Sequence, residues 1–541
     1  MAIQNIISLI YTVDYYLLFI AIITIYIFNF YYKYFNRPNA LPGPIPLPFI
    51  GNFHNLLYDP KKFYEQCQNK YGDISELSLD RRFILLTRPE YFEKLFDRKL
   101  FFMRQSYNQG LEEIGMFGHG IAFNENYENW KPNSKFFMDT FVAQKFMDNA
   151  VNCTNNLYKE LSDYWQSLGK QNTSNNNNDN WTLETDFTKW LHGFTNDIVS
   201  IIITGERTYS IAAYYNTLSC KKSEYPDAIV EDGDRFVKSI VKYIQGLMLF
   251  SSTGSFVRQY IPIIKNKSVD YLKNRDYLFE KLDKIIQKRK EEIKKMTIDK
   301  EMRTDMLTSL ITANTNLKDS NDEELKPIAD IEIRGNILDA FLGGTDTTTN
   351  LFCFITYFIC KNPHVKQKML SEIDCILTSD KSYVSYNDLQ KLRYCEAIIK
   401  ETSRLVPVIP VGHRLITEEY EIAGYKWPPG THFMLNFSGI HTHPKIWPDP
   451  EVFNPDRFYN DDLDDKKLGD KSALCIFGGG RRICPGRRLA MVELLSLMAL
   501  VFKNYYVELV NKNEPLKLVT LMTTTCQELK VRISPRTDLL I

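Results

Sequence analysis

Cysteine is scarce in this chain: ten residues in 541, none of them in a C-x-x-C pair. That spacing argues against a disulfide-built scaffold and a four-cysteine zinc site, and it points to a reducing compartment. Net charge is missing as well, because 66 lysines and arginines offset 66 aspartates and glutamates. No bulk field is left to gather nucleic acid or another polyanion. No repeat period recurs, and neither a G-x-G-x-x-G dinucleotide fingerprint nor a flavin module is found, so a redox role needs electrons from a second protein. A cleaved signal peptide would need a basic start and a small-residue cleavage site near residues 31–36, and the sequence has neither.

What the chain has in quantity is apolar surface. Its 44% hydrophobic content supports a sizeable core, and the length suits two or three ordinary domains or one large enzyme body. Residues 15–32, YYLLFIAIITIYIFNFYY, are broken by one strongly polar residue, Asn29; as a helix the run would span roughly 27 Å, close to the hydrocarbon thickness of a bilayer. Tyrosines at both ends suit the two interfaces, and Lys33 and Arg37 follow on the C-terminal side, which by the positive-inside rule leaves the body cytoplasmic. These signals predict a membrane anchor over residues 1–36 and a body over 53–541. Between them, at 37–52, Pro42, Pro44, Pro46 and Pro48 forbid helix and predict a stiff hinge.

The body reads as mainly α with small β-sheets. Apolar residues recur at helical spacing in 235–249 and 274–296, and short strand-like runs stand at 74–79 and 83–88. QNTSNNNNDN, residues 171–180, has no apolar anchor and is expected to be a surface loop. The charged run 284–300 is expected on the solvated face of a long helix and the turn after it.

FGGGRRICPGRRLA, residues 477–490, does not read as packing alone, since its three consecutive glycines lose more conformational freedom on folding than any other residue type. Pro485 suits the first position of a helix continued by the apolar spacing of RRLAMVELLSLMALVF. Cys484 would then sit at a helix N-terminus, beside Arg481 and Arg482, with the N–H groups of glycines 478–480 turned toward its sulfur. Those features favour a thiolate. A thiolate so held could be a nucleophile, a zinc ligand or a haem ligand. No histidine is tied to it in sequence, although His413, His441 and His443 occur upstream, and Cys475 is the only cysteine nearby. Haem ligation fits best, because an axial thiolate pushes electron density onto iron.

Residues 477–486 also match F-x-x-G-x-R-x-C-x-G, the signature of the cytochrome P-450 superfamily, at every fixed position. The chain resembles that family from Pro42 to its C-terminus. The resemblance implies haem b (iron protoporphyrin IX) with Cys484 as axial ligand, Arg482 as partner of a haem propionate and Phe477 packed beneath the ring. Four further motifs follow in the family's order. Gly343-Gly344-Thr345-Asp346-Thr347-Thr348 lies in an apolar helix whose glycines and hydroxyls weaken its hydrogen-bond ladder. By resemblance this is the distal helix, with Thr347 as the hydroxyl of a proton relay and Asp346 as its acid. Glu401 and Arg404, with Arg457 of WPDPEVFNPDRF, resemble the family's buried charge cluster, which braces the cysteine loop. Arg414 in PVGHRL is implied as a second propionate partner. Trp130 resembles the tryptophan of the W-x-x-x-R helix, but Ser134 stands where the arginine belongs, leaving Lys131 and Lys135 as the nearby cations.

The implied fold is the cytochrome P-450 fold behind an N-terminal transmembrane helix, single-pass in the endoplasmic reticulum membrane. The implied activity is that of a haem-thiolate monooxygenase that inserts one atom of O2 into a lipophilic small molecule. Its electrons would come from an NADPH-dependent flavoprotein reductase, steered by Arg481, Arg487, Arg488, Lys131 and Lys135. The expected pocket segments, 104–122, 241–256, 337–345, 406–411 and 520–525, are mostly apolar. A haem-thiolate isomerase or dehydratase would dispense with the pair Asp346 and Thr347, and a non-catalytic haem-binding protein would need no proton relay.

Overall fold

The computed structural model describes residues 2–56, 59–96, 102–105, 107–171, 181–223, 233–296, 302–316, 328–378, 381–459 and 473–536. Residues 172–180 of the asparagine-rich tract and 297–300 of the charged run lie outside them. Helices dominate, and the longest apolar segment of the body becomes the axis of the molecule. Asp330–Lys361 is one unbroken helix, here the central helix, with Asp330 and Glu332 in its first turn and Lys361 in its last, as the helix dipole favours. It runs through Gly343 and Gly344 without interruption. The hydroxyls of Thr345 and Thr347 bond back to the carbonyls of Phe341 and Gly343, at 3.0 and 2.6 Å, a pattern that bends helices without ending them.

The flanking helix, Phe187–Thr204, lies along the central one. Asp186 caps it by accepting the Thr188 N–H, and Gly205 closes it in the left-handed region at φ 69°. Small residues let the two helices approach: Thr195 and Thr349 share a hydrogen bond of 2.6 Å, and a Cβ on Gly344 would stand 3.1 Å from Val199. The helical spacing at 235–249 falls in Gly233–Ser252, and that at 274–296 in Pro262–Lys295. The second helix starts earlier than the apolar pattern does because Pro262 suits a first helical position.

The strand-like runs form the hairpin Ile74–Ser78 with Arg82–Leu86. Strand His432–Asn436 joins it parallel to Arg82–Leu86, and Val411–Leu415 adds on antiparallel with Arg414 opposite Phe433. A second sheet orders Leu183–Asp186, Lys530–Pro535 and Tyr505–Leu509.

At the N-terminus, Ala2–Phe35 is a single helix. Its span Tyr15–Phe35 has a mean hydropathy of 1.6 and is not buried against the body. The proline segment after it is non-helical and tied down. Buried Glu76 pairs with Arg37 at 2.5 Å and Arg82 at 2.8 Å, and Arg82 also holds the carbonyls of Pro38 and Asn39. A Cβ on Gly43 would stand 2.1 Å from the Glu76 carbonyl oxygen, so glycine is required for this approach.

Candidate functional site

The triple glycine answers to a neighbouring helix more than to the sulfur. Gly478 and Gly480 adopt φ of 72° and 67°, and a Cβ on Gly479 or Gly480 would stand 2.4 Å from Phe96, the last residue of helix Pro89–Phe96. The loop closes where the Cys484 N–H donates to the Phe477 carbonyl at 2.9 Å and the Gly478 N–H to that of Cys475 at 3.1 Å. The following helix is Arg487–Asn504, so Pro485 lies in the turn before it rather than at its first position. The N–H that reaches the Cys484 sulfur belongs to Gly486, not to the triplet. Burial pushes the Cys484 thiol up, while that N–H, Arg104 and Arg487 act the other way. A further positive charge at the sulfur, such as a bound metal ion would bring, favours the thiolate there.

Three arginines converge beside this loop. Arg482 is buried and donates to the carbonyls of Phe102 (3.1 Å), Ile121 (2.5 Å) and Asn124 and to Glu125 (3.2 Å). Its guanidinium lies 3.9 Å from the centre of the Phe102 ring and 5.1 Å from that of Trp130. Arg414, brought in by its strand, donates to the carbonyls of Gly479 (3.0 Å) and His413 (2.8 Å). Arg104 donates to the carbonyls of Ala122 (3.1 Å) and Arg482 (3.2 Å). Burial lowers all three, taking Arg414 and Arg482 to about 9, and the field of Arg104 depresses those two further. Glu125 is the nearby counter-charge, and burial raises its own carboxyl. Such a crowd of guanidiniums is suited to an anion with more than one carboxylate.

Trp130 sits on helix Tyr127–Thr140, and Lys131 and Lys135 on that helix are exposed. Asn133 is the inward-facing polar residue there, bonding Glu332 and Asn336 of the central helix, each at 2.8 Å. Arg104, rather than a residue of this helix, is the third guanidinium beside the cysteine loop.

On the central helix, Gly343 is exposed although the helix is largely buried, and a Cβ there would meet nothing within 4 Å. Open space thus lies beside Gly343, whose carbonyl takes the Thr347 hydroxyl. Asp346 stands 3.5 Å from His192 of the flanking helix. Behind them, Glu493 of the helix after Cys484 is buried, and its Oε1 has no hydrogen-bond partner among the described residues. Burial pushes Glu493 up to about 8, opposed by a bond with Thr348. A carboxyl raised in the folded state stabilises it fully below the unfolded value and loses that contribution as pH rises to about 8. Glu493→Gln is expected to flatten the fall of stability over pH 5 to 8 by up to about 1.4 kcal/mol per pH unit, read from denaturant unfolding at matched pH values.

His413 is exposed, yet loss of hydration pulls its imidazole down to about 4. Both hold when the exposed face opens on interior space rather than on bulk water. Cys484, Arg104 and Thr347 also keep partial exposure. A partly exposed thiol with three guanidiniums close by, those of Arg414 and Arg482 buried, fits a metal-bearing dianion such as haem. Residues 41–533 match the sequence profile of the family described as Cytochrome P450. This chain belongs to the cytochrome P450 family.

Similar proteins include Cytochrome P450 76T24 of Catharanthus roseus, 26% identical over 87% of both chains. Carnosic acid synthase of Rosmarinus officinalis is 26% identical over 86% of both. Cytochrome P450 3A31 of Mesocricetus auratus is 24% identical over 89% of this chain and 88% of its own. The family is one of haem-binding oxidoreductases, generally monooxygenases, that take O2 and electrons from redox partners.

Within this cytochrome P450 the structure brings Cys484, Arg482, Phe477, Arg414 and Trp130 to one locality and puts Asp346 and Thr347 on the helix beside the open space. The charge cluster is present as read: Glu401 and Arg404 are fully buried at 2.7 Å, with Arg457 3.4 Å from Glu401. Sequence reasoning missed Arg104, His192 and Glu493. A single carboxylate inside the apolar run MVELLSLMALVF was signal enough for Glu493, and a lone arginine after FFM for Arg104. His192 carries no such local mark.

Proposed function

We propose that this cytochrome P450 is a haem-thiolate monooxygenase that inserts one atom of O2 into a lipophilic small molecule. The observation that carries this is the pairing of a braced, cation-flanked Cys484 with an acid and a hydroxyl, Asp346 and Thr347, beside open space on the central helix. Haem b would supply the iron that activates O2. Cys484 would hold the metal, Arg104, Arg414 and Arg482 would meet the propionates, and Phe477 and Trp130 would pack near the ring. Thr347 presents its hydroxyl to the open space, and Asp346 restores the proton that the hydroxyl gives up. An isomerase or a non-catalytic haem protein has no use for that pair.

Residues 1–36 anchor the protein in the endoplasmic reticulum membrane, 37–52 join anchor to body, and 53–541 form the catalytic domain on the cytoplasmic side. Exposed apolar side chains such as Phe256, Tyr260 and Ile263 suit contact with the bilayer surface, from which a lipophilic substrate would come. An NADPH-dependent flavoprotein reductase docks on the thiolate side. Arg481 bonds the Tyr127 hydroxyl at 2.7 Å and is exposed, as are Arg488, Lys131 and Lys135, and these cations suit an acidic partner.

The test is a reductase-coupled assay of the full chain in lipid vesicles, measuring NADPH, O2 and product. Thr347→Ala is expected to keep its haem while product per electron falls by roughly a hundredfold, the lower range for loss of a positioned proton donor, with free hydrogen peroxide making up the difference. Undiminished coupling in Thr347→Ala, or no O2 consumption by the wild type with any lipophilic substrate, would sink the proposal.

A further inference from the structure

We propose that His192 is the positioning partner and proton source of Asp346, so that protons reach Thr347 through the cleft between the flanking and central helices. This inference rests on the monooxygenase reading above. Asp346 lies in a largely buried helix, yet a fifth of its side chain, 21%, is exposed, and so is 36% of that of His192. His192 Nδ1 stands 3.5 Å from Asp346 Oδ1, a separation that one rotamer adjustment or a bridging water turns into a proton path. The two helices cannot drift apart at this level. Thr195 and Thr349 are bonded at 2.6 Å, and Thr349 also donates to the Leu191 carbonyl at 3.4 Å.

The charges around His192 suit a donor. Loss of hydration lowers its imidazole, so that the protonated form gives its proton up readily, and the carboxylates of Asp346 and Asp186 pull the other way. Other charged groups near the flanking helix are engaged elsewhere, Lys189 over the Tyr214 ring at 6.0 Å and the rest in ion pairs. Asp197 and Glu160 share Arg207, at 3.0 and 2.6 Å, and Asp305 of the neighbouring loop takes Arg289 at 2.6 Å. On the central helix, Glu332 also meets a histidine, His119, at 2.6 Å, but it is committed to Asn133 and the Gly120 N–H and serves as a latch. Among the described residues the Asp346 carboxylate meets His192 and carries no such second load, while its backbone carbonyl accepts from Asn350 at 2.6 Å.

The transfer balances without a further reagent: the imidazolium Nδ1–H passes a proton to the Asp346 carboxylate, and water returns one to the ring. A merely structural pair would hold the helices together and leave proton delivery untouched.

Two readouts separate the roles. In the purified full chain, histidine-labelled NMR titration, with the His192 signal assigned by its loss in His192→Gln, should show the His192 midpoint falling in Asp346→Asn because a carboxylate that raises it is gone. An unchanged midpoint overturns the pairing whether or not the enzyme is active. In the coupled assay, His192→Gln should lower product per electron about tenfold at neutral pH, less than the roughly hundredfold expected of a direct donor. It should also abolish the wild type's gain in coupling as pH falls toward 6, with the thermal midpoint unchanged. Wild-type coupling and pH profile in His192→Gln, alongside an uncoupled Thr347→Ala, defeat this inference alone. A Thr347→Ala that stays coupled defeats the relay reading and this inference with it.

Discussion

Cys484→Ala is expected to erase the strongly red-shifted main absorption band of the reduced, carbon-monoxide-bound protein while leaving the chain folded. The fold should survive because what Cys484 gives its loop is a backbone bond, the N–H donated to Phe477 at 2.9 Å, which alanine keeps. The glycine approaches to Phe96 and the hold of Arg414 on the Gly479 carbonyl do not involve the sulfur either. The spectrum should not survive, because thiolate is the ligand that shifts it. The natural rival is His413, whose imidazole is pulled down to about 4 and is therefore neutral and able to coordinate. His413→Ala is thus the control: the band should persist in it and vanish in Cys484→Ala. The reverse pattern, or identical spectra in Cys484→Ala and wild type, would remove the sulfur from the metal and the monooxygenase reading with it.

The contrast between Cys484 and His192 shows where sequence is informative. Around Cys484 the chain folds back on itself within ten residues, so glycines, arginines and the thiol that act together are also neighbours in sequence. Glu401 and Arg404 are legible for the same reason, since helical spacing alone puts them on one face. The anchor is legible because a bilayer imposes a length and a composition on any helix that crosses it. His192, Glu493 and Arg104 become visible only when distant elements pack. His192 meets Asp346 across two helices more than a hundred and fifty positions apart in the chain, and no periodicity encodes that. Pro485 misleads for a subtler reason: a proline suits a first helical position, but the same residue also suits the turn that aims the Gly486 N–H at the sulfur, and the site requires the turn.

Arg404→Ala should be the most destabilising single change, by about 3 to 5 kcal/mol, the range for breaking a buried ion pair from one side. Arg404 is fully buried and donates to both oxygens of Glu401 (2.7 and 2.8 Å) and to the carbonyls of His441 (3.0 Å), Pro450 (2.7 Å) and Val452 (3.2 Å). Alanine would leave Glu401 to Arg457 and the Asn454 N–H and three carbonyls unmet. The damage should run on to the cysteine loop. The neutral ring of His441, pulled down to about 3 by burial and by the charge of Arg404, accepts the Cys475 N–H at 2.9 Å, and the Cys475 carbonyl accepts the Gly478 N–H. Arg404→Lys should recover little, because one ammonium cannot replace a fork that serves four residues at once. The double variant Glu401→Leu with Arg404→Met removes both charges of the pair at similar volume, so it should recover part of the unfolding free energy, Arg457 and the Asn454 N–H being left without their carboxylate. It would still lack the tie to His441, and it should therefore keep losing the thiolate-type band below the temperature at which the helices melt. A double variant whose band and helix signal melt together would show that the cluster stabilises the fold without bracing the loop of Cys484.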